Sequence, residues 1–502
     1  MKNSLKRFVP KGYLPFINKD GYLKKEPQLV NEVLTTKTNK LVNTIQDIFN
    51  QIPIVDGMCL SFHHHLRNGD YIINLVMAEV KARGLKNITI APSSIFPIHE
   101  PLVELLEDET ITSIYTNYIN GPVADIVSAG ALKNLLVMDT HGGRARAIQA
   151  GEIKIDVAFL AVPTADKAGN GNGFEGKSAC GSLGYAIPDL LYAKHKVIIT
   201  DNLVPKVPRA EIEAKYVDYV LVVNEIGDSK GIVSGTTRPT KDPIQQIIAK
   251  NTALLIEDLG LVKPGLSFQT GAGGISLLVA KHLATMMQEK QIKGSFASGG
   301  ITAFLVQMLE ENLFEKLYDV QCFDLEAVRS YKENPNHLPL SAITYASPYA
   351  KAIIEDLDIV ILGATEIDQD FNVNVTTDSF NRIIGGSGGH SDTARASKVS
   401  IITTNLVKSR LPILKNEITT ITTPGETIDC VVTERGIAIN PKRVDLIEKL
   451  KDSKLNILPI EELIQTALKI TGVPKEIKRS NKPVGLVRYL DGSIIDTIFK
   501  NE

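Results

Sequence analysis

The sequence has no tryptophan, only four cysteines and almost no net charge, and each shortage closes off a class of explanation. Cys59, Cys180, Cys322 and Cys430 lie far apart and form no C-x-x-C pair, so neither a zinc ribbon nor a disulfide framework is indicated. A formal charge of -2, from 55 Lys and Arg against 57 Asp and Glu, leaves no basic excess to hold a nucleic-acid backbone. No apolar run is long enough to span a bilayer. The basic N-terminus, MKNSLKRFVPKGYLPFINKDGYLKKEP, lacks the continuous apolar stretch of a secretory signal. The expected setting is a reducing cytoplasm, with no membrane or nucleic-acid partner.

What is present is an ordinary globular composition, 43% hydrophobic and 22% charged, over 502 residues, more than one hydrophobic core normally serves. Short apolar runs (MCLSF, ITIAPS, ITSIYT, LLVMDT, DVAFLAVP, KVIIT, YVLVV) alternate with helix-length segments, a pattern that calls for parallel βαβ units. The prolines and threonines of GTTRPTKDP, residues 235–243, mark an interdomain crossing. After it the alternation restarts with GLSFQ, GSFAS and YDVQCF, and it ends in a hairpin turned at Asp491-Gly492. GMCLSFHHH and GLSFQTGAGG each end a strand and lead through a helix to a second strand, which reads as a diverged duplication. The expected fold is therefore α/β: two similar open halves with mostly parallel sheets and a ligand cleft between them at the carboxyl ends of the strands. The expected domains are an arm at 1–40, a first domain at 41–240 and a second at 241–502.

Glycine is concentrated where it can bring bare backbone N–H groups to a ligand. SFQTGAGGIS, residues 267–276, joins a strand to a helix, and IIGGSGGHSD, residues 383–392, forms a second loop. Without Cβ atoms, such loops admit an anionic oxygen, which suits acyl or phosphate chemistry as well as ordinary tight turns. GNGFEGKS, residues 171–178, matches a nucleoside-triphosphate loop, but it stands eight residues past its strand, and Gly181, Gly184 and Pro188 oppose a helix after it. TGAGGIS resembles a dinucleotide fingerprint with Ser276 in place of the third glycine and no acidic residue ending the next strand.

The side-chain candidates cluster at strand ends. Of His63, His64 and His65, only the first and third point to one side of an extended segment, and no further ligand lies nearby, so no metal is expected. An imidazole or Arg67 contacting a carboxylate substrate is the more plausible role. In DTHGGRARA, Arg144 and Arg146 either clamp an anion or lie on a solvated helix face.

Taken in order, VDGMCLSFHHHLRNGD, NGPVADIVSAGALKNLLVMDTHGGRARA, VPTADKAGNGNG, SFQTGAGGIS, SFASGG, GATEIDQDFNVNV, IIGGSGGHSD and DCVVTERGIA resemble the coenzyme A transferase superfamily. Within it they resemble the alpha-chain family of citrate lyases, over nearly the whole length. The resemblance implies exchange of citrate for the acetyl group on an acyl carrier protein. It implies as partners that carrier chain, a lyase chain and an oligomeric assembly. It implies no tightly bound cofactor, because the acyl donor rides on the carrier's CoA-like group, for which CoA or acetyl-CoA can substitute. Many members carry a glutamate at the strand end that here reads Ser298-Gly299-Gly300, and it forms a covalent thioester. Without that carboxylate, the expected route is direct attack of citrate on the acetyl thioester, with Glu366 as a substitute nucleophile or a structural group.

Gly385, Gly386, Gly388 and Gly389 are the expected oxyanion site, with His390 sensing the thiolate or merely shaping the turn. Ser61, His63, His65, Arg67, Arg144, Gln269, Gly271, Gly273, Ser298 and Gly299 are the expected substrate contacts. The competing readings are an acetate or hydroxybutyrate coenzyme A transferase, an acyl-CoA hydrolase, and a regulatory metabolite-binding module of related fold.

Overall fold

Runs such as VAFLA and IVIL are apolar on both faces, the composition of strands covered by helices on each side, and they become the buried centres of two parallel sheets. The computed structural model describes residues 1–23, 29–233, 240–474 and 479–501; residues 235–239 of the expected crossing lie outside them. In the first half the strands are, in chain order, Cys59–Phe62, Ile88–Pro92, Ile111–Thr116, Leu136–Met138, Val157–Ala161, His195–Thr200 and Tyr219–Val222. In the second they are Ser267–Thr270, Gly294–Ile301, Phe314–Cys322, His337–Pro339, Ile359–Leu362, Val399–Thr403 and Cys430–Thr433. Numbered one to seven, each set lies side by side in the order 4-3-2-1-5-6-7, every neighbour parallel.

The repeat extends to single hydrogen bonds. Asp156, just ahead of the fifth strand, accepts the Cys59 N–H that opens the first strand, at 2.9 Å, and Asp358 accepts that of Ser267 at 2.9 Å. Asp218, ahead of the seventh, accepts from Lys196 at 2.9 Å, and Asp429 accepts from Ser400 at 2.8 Å. Each carboxylate satisfies a donor at the sheet's rim that would otherwise be buried unpaired. Identical winding and identical ties in both halves support a duplication.

The C-terminal hairpin, Arg479–Arg488 and Ile494–Asn501, departs from the expected division. It pairs in parallel with Leu136–Met138 and so widens the first sheet, although it comes after the second half in sequence. Residues 1–23 fold onto this hairpin: the Asn3 amide donates to the Ile494 and Ile495 carbonyls at 2.9 and 2.6 Å, and Phe16 meets Tyr489 edge-on at 5.0 Å. One continuous apolar core joins the halves. Among the described residues no helix is long and apolar enough to cross a membrane.

Candidate active site

In both sheets the first strand stops at the interface between the halves, and the two loops leaving it differ. Cys59–Phe62 runs directly into three histidines, all buried. The Tyr185 N–H donates to His65 Nε2 at 3.2 Å, so the His65 proton sits on Nδ1 and points at His63 Nδ1, 2.5 Å away. His64 Nδ1 meets the Ser93 hydroxyl at 2.5 Å. The His64 ring stacks on Tyr185 at a centroid distance of 4.6 Å, and the His141 ring packs tilted against it at 4.2 Å. Burial holds all four imidazoles below their ordinary range, His63 to about 4 and His141 to about 3, so the cluster is neutral near pH 7. Among the described residues no group of three or more His, Cys, Asp or Glu side chains is placed to hold a metal ion.

The arginines divide. Arg144, expected at the substrate, lies buried beneath the site, where its Nη2 donates to both Asp189 oxygens at 2.9 and 3.1 Å, to the Ala91 carbonyl at 2.7 Å and to the Ser61 hydroxyl at 3.0 Å. Its charge is taken up by Asp189, and Ser61, equally buried, belongs to the same internal network. Arg146 pairs with Glu152 at 2.6 Å. Arg67 stays at the cleft, over the rings of Phe96 and Phe323 at 5.6 and 4.7 Å.

On the second half, Ser298 donates to Gln269 Oε1 at 3.1 Å, and Gln269 donates to the Tyr345 hydroxyl at 2.8 Å, a chain that crosses the strand ends. Gly299 has φ of +101°, and a Cβ there would meet Gln269 Cδ at 2.8 Å. Gly271 and Gly273 lie in open space, with nothing nearer to a built Cβ than the Ser276 hydroxyl at 4.0 and 3.9 Å. They precede the helix Gly274–Glu289, whose first turn has no side-chain cap.

The second glycine loop is wedged against the first half. Gly388 donates to the Asn117 carbonyl at 3.3 Å and its carbonyl accepts from His141 at 2.9 Å. A Cβ on Gly386 would lie 2.2 Å from the Asn117 oxygen, and one on Gly389 would lie 2.5 Å from the Tyr345 hydroxyl. Gly385 donates to Thr376 at 3.2 Å. The N–H groups of Gly386, Ser387 and Gly389 have no acceptor among the described residues. His390 is a strut: its Nδ1 pairs with the Thr423 hydroxyl at 2.8 Å and its Nε2 with the Gly363 carbonyl at 2.9 Å. Burial keeps it neutral near pH 7, with its pKa lowered to about 4. Asp392 accepts the Gly142 N–H at 2.8 Å across the interface, and burial raises its carboxyl to about 7.

Glu366 is fully buried and takes Lys415 at 2.5 Å, Ser379 at 2.7 Å, Asn374 at 2.9 Å and both Thr419 donors at 2.7 and 3.1 Å. No helix begins at the Lys177-Ser178 pair of GNGFEGKS; one does follow at Ile187–Tyr192, with Pro188 in its first turn where proline is tolerated, but it starts too late to make a phosphate loop, and the Lys177 ammonium donates to the Asn224 carbonyl at 2.5 Å. Sequence reasoning misses His64, His141, Tyr185 and Tyr345 as parts of the site; His141, within DTHGG at a strand-to-helix junction, carries the one usable signal.

Comparison with known proteins places this arrangement. Residues 38–501 match the family "Citrate lyase, alpha subunit (CitF)". The chain is 45% identical to the citrate lyase alpha chain of Haemophilus influenzae over 93% of its own length and 94% of that protein. It is 42% identical to that of Klebsiella pneumoniae over 98% and 96%. A Streptococcus mutans structure assigned as the alpha subunit of citrate lyase, solved with citrate, covers 100% of both chains at 43% identity and a TM-score of 0.96. A Pseudomonas malonate decarboxylase hetero-tetramer shares the fold, with a TM-score of 0.64 at 14% identity over 87% of this chain and 84% of that one. The chain belongs to the citrate lyase alpha-subunit family, and is an enzyme of the acyl-transferring coenzyme A transferase class.

Proposed function

We propose that the protein exchanges the acetyl group of a carrier-protein thioester for citrate, giving citryl carrier protein and acetate, within an assembly that includes carrier and lyase chains. The Streptococcus mutans relative, solved with citrate, supports the choice of acceptor. A citrate carboxylate oxygen attacks the acetyl carbonyl, and the thioester C–S bond breaks to leave a mixed anhydride and a thiolate. The thiolate then attacks the citryl carbonyl of the anhydride, and acetate departs. No protein nucleophile takes part.

The observation that carries this route is the state of the carboxylates. Ser298, in the carboxyl-terminal half of the strand Gly294–Ile301, stands where the superfamily resemblance leads one to expect glutamate. Glu366 is tied by Lys415, Ser379, Asn374 and Thr419, contacts that favour its ionised form, keep its pKa below the usual carboxylate range despite burial, and leave no face for an acyl group. Negative charge develops on the carbonyl oxygen in each tetrahedral step, and fixed peptide donors stabilise such charge by about 2.7–4 kcal/mol each. The unaccepted N–H groups of Gly386, Ser387 and Gly389 are the donors assigned to it. Holding both acyl partners in one cleft supplies the rest by proximity.

The test is to incubate the full chain with citrate and acetyl-CoA as carrier surrogate and monitor citryl-CoA and acetate by mass spectrometry. Absence of both products removes the reading. Hydroxylamine trapping during turnover is expected to find no acyl-glutamyl protein, and a hydroxamate at Glu366 would replace the direct route with a covalent one.

A further inference from the structure

Arg67 is a cation that the fold holds at the cleft without a counter-ion. Among the described residues no carboxylate lies within ion-pair distance of it, although the neighbouring Asp70 is engaged with His99 at 3.3 Å and Arg144 is neutralised by Asp189. The structure accepts strain to place it: Arg67 has φ of +51°, a left-handed conformation that costs a residue with a Cβ about 1–2 kcal/mol. It also removes a side chain to make room. Gly300, two residues after Ser298, has the Phe323 ring 2.0 Å from where its Cβ would stand, so only glycine lets that ring lie on the strand and present a face to the guanidinium. Phe96 lies near it from the first half. The half-buried setting lowers the arginine's pKa from its ordinary value by desolvation, so an anion reaching it meets a poorly hydrated charge.

We propose that Arg67 selects the polycarboxylate: its planar guanidinium grips a carboxylate of the acceptor that does not react, and so favours citrate over monocarboxylates. This rests on the transfer reading above for the identity of the acceptor. The aromatic faces on the two halves fix the guanidinium plane, and a fork fixed in this way matches a carboxylate bidentately, which an ammonium cannot do. Arg144 and Arg146, each paired with an acid, are not available for this role.

The experiment is citrate titration by calorimetry of the full chain as wild type, Arg67→Gln and Arg67→Lys, alongside transfer from acetyl-CoA. Arg67→Gln is expected to weaken citrate binding about 10–200-fold, the range of lost charge-assisted bonds, with the KM for acetyl-CoA and the urea midpoint unchanged. Arg67→Lys, which keeps the charge but not the fork and preserves folding if the glutamine variant does not, is expected to weaken it about tenfold. Citrate affinity within threefold of wild type in both variants would overturn the proposal and leave the transfer reading standing. Wild-type citrate binding that is lost in Arg67→Gln, with no transfer in either protein, would support the arginine's role and sink the transfer reading. A wild type that does not bind citrate would overturn both.

Discussion

The two halves wind identically and end differently. After its first strand the first half presents side chains, His63, His64, His65 and Arg67; after the equivalent strand the second presents bare backbone, Gly271 to Gly274. A duplicated scaffold fixes where strand ends fall, whereas the loops set there are free to diverge. In the proposed reaction that division has a chemical sense. The Arg67 guanidinium discriminates among acceptors by charge and shape, while peptide donors stabilise an oxygen that becomes anionic only during the reaction. The wedged loop at 385–389 then brings second-half amides against first-half Asn117 and His141.

The largest effect separates Arg144 from Arg67. Arg144→Leu strands Asp189 in the interior without its partner, and an uncompensated buried charge costs about 3–5 kcal/mol. Urea unfolding is expected to show that loss, in contrast to Arg67→Gln, which leaves the midpoint in place. Equal midpoints for Arg144→Leu and wild type would break the distinction between a structural and a ligand-facing arginine.

The next effect lies in the wedged second-half loop. Gly386→Ala places a Cβ 2.2 Å from the Asn117 carbonyl oxygen and 2.7 Å from Met138 Cε, so the loop must withdraw from the first half. Overpacking of this kind costs about 1–3 kcal/mol. Transfer is expected to fall at least a hundredfold, more than the stability change explains, because the same shift displaces the donors at Ser387 and Gly389. Turnover within threefold of wild type would remove this loop from the oxyanion site.

Much of the scaffold was legible. Apolar runs bounded by turn residues located the strands of both halves, because helices on each face leave those strands no polar side. The helix expected to follow SFQTGAGGIS is found at Gly274–Glu289. The hairpin at Asp491-Gly492 could be read, but not its pairing with Leu136–Met138, since sheet partnership across more than three hundred residues leaves no local trace. Nor could sequence separate Arg67 from Arg144: both lie near glycines after a strand, and Asp189, 45 residues beyond Arg144, decides which one is neutralised. The aspartates at 156, 218, 358 and 429, each just ahead of a strand, were a readable sign of the repeat that composition alone obscures.

The pH response tests whether the histidine-rich end and the interface acid oppose each other. His63, His141 and His390 have folded pKa values depressed to about 4, 3 and 4, so they stabilise the fold above their ordinary range near 6.5. That contribution is lost as pH falls from 6.5 toward 3–4. Asp392, raised to about 7, has the opposite sign: its contribution is complete below about 3.8 and is lost as pH rises to 7. The stability of Asp392→Asn relative to wild type is therefore expected to rise with pH between 4 and 7, by at most about 1.4 kcal/mol per unit, and to stay level above that. A flat difference across the window would show that Asp392 titrates normally.

The smallest structural effect isolates the open loop. Gly273 has φ of -69° at the cap of the helix Gly274–Glu289, and a built Cβ meets nothing nearer than the Ser276 hydroxyl at 3.9 Å. Gly273→Ala should therefore cost about 1 kcal/mol or less, the preference for glycine over alanine at a helix N-cap. If the second half offers bare amides because a thioester carrier must approach the backbone, the added methyl stands in that path. The expected result is a melting temperature lowered by no more than about 4 °C, with a KM for acetyl-CoA raised about tenfold and citrate affinity left at its wild-type value. The first-half Arg67→Gln variant should show the reverse pattern, citrate affected and acetyl-CoA not. Two substitutions at equivalent strand ends with non-overlapping kinetic signatures would establish that the halves divide the two substrates between them; overlapping signatures would show one shared pocket instead.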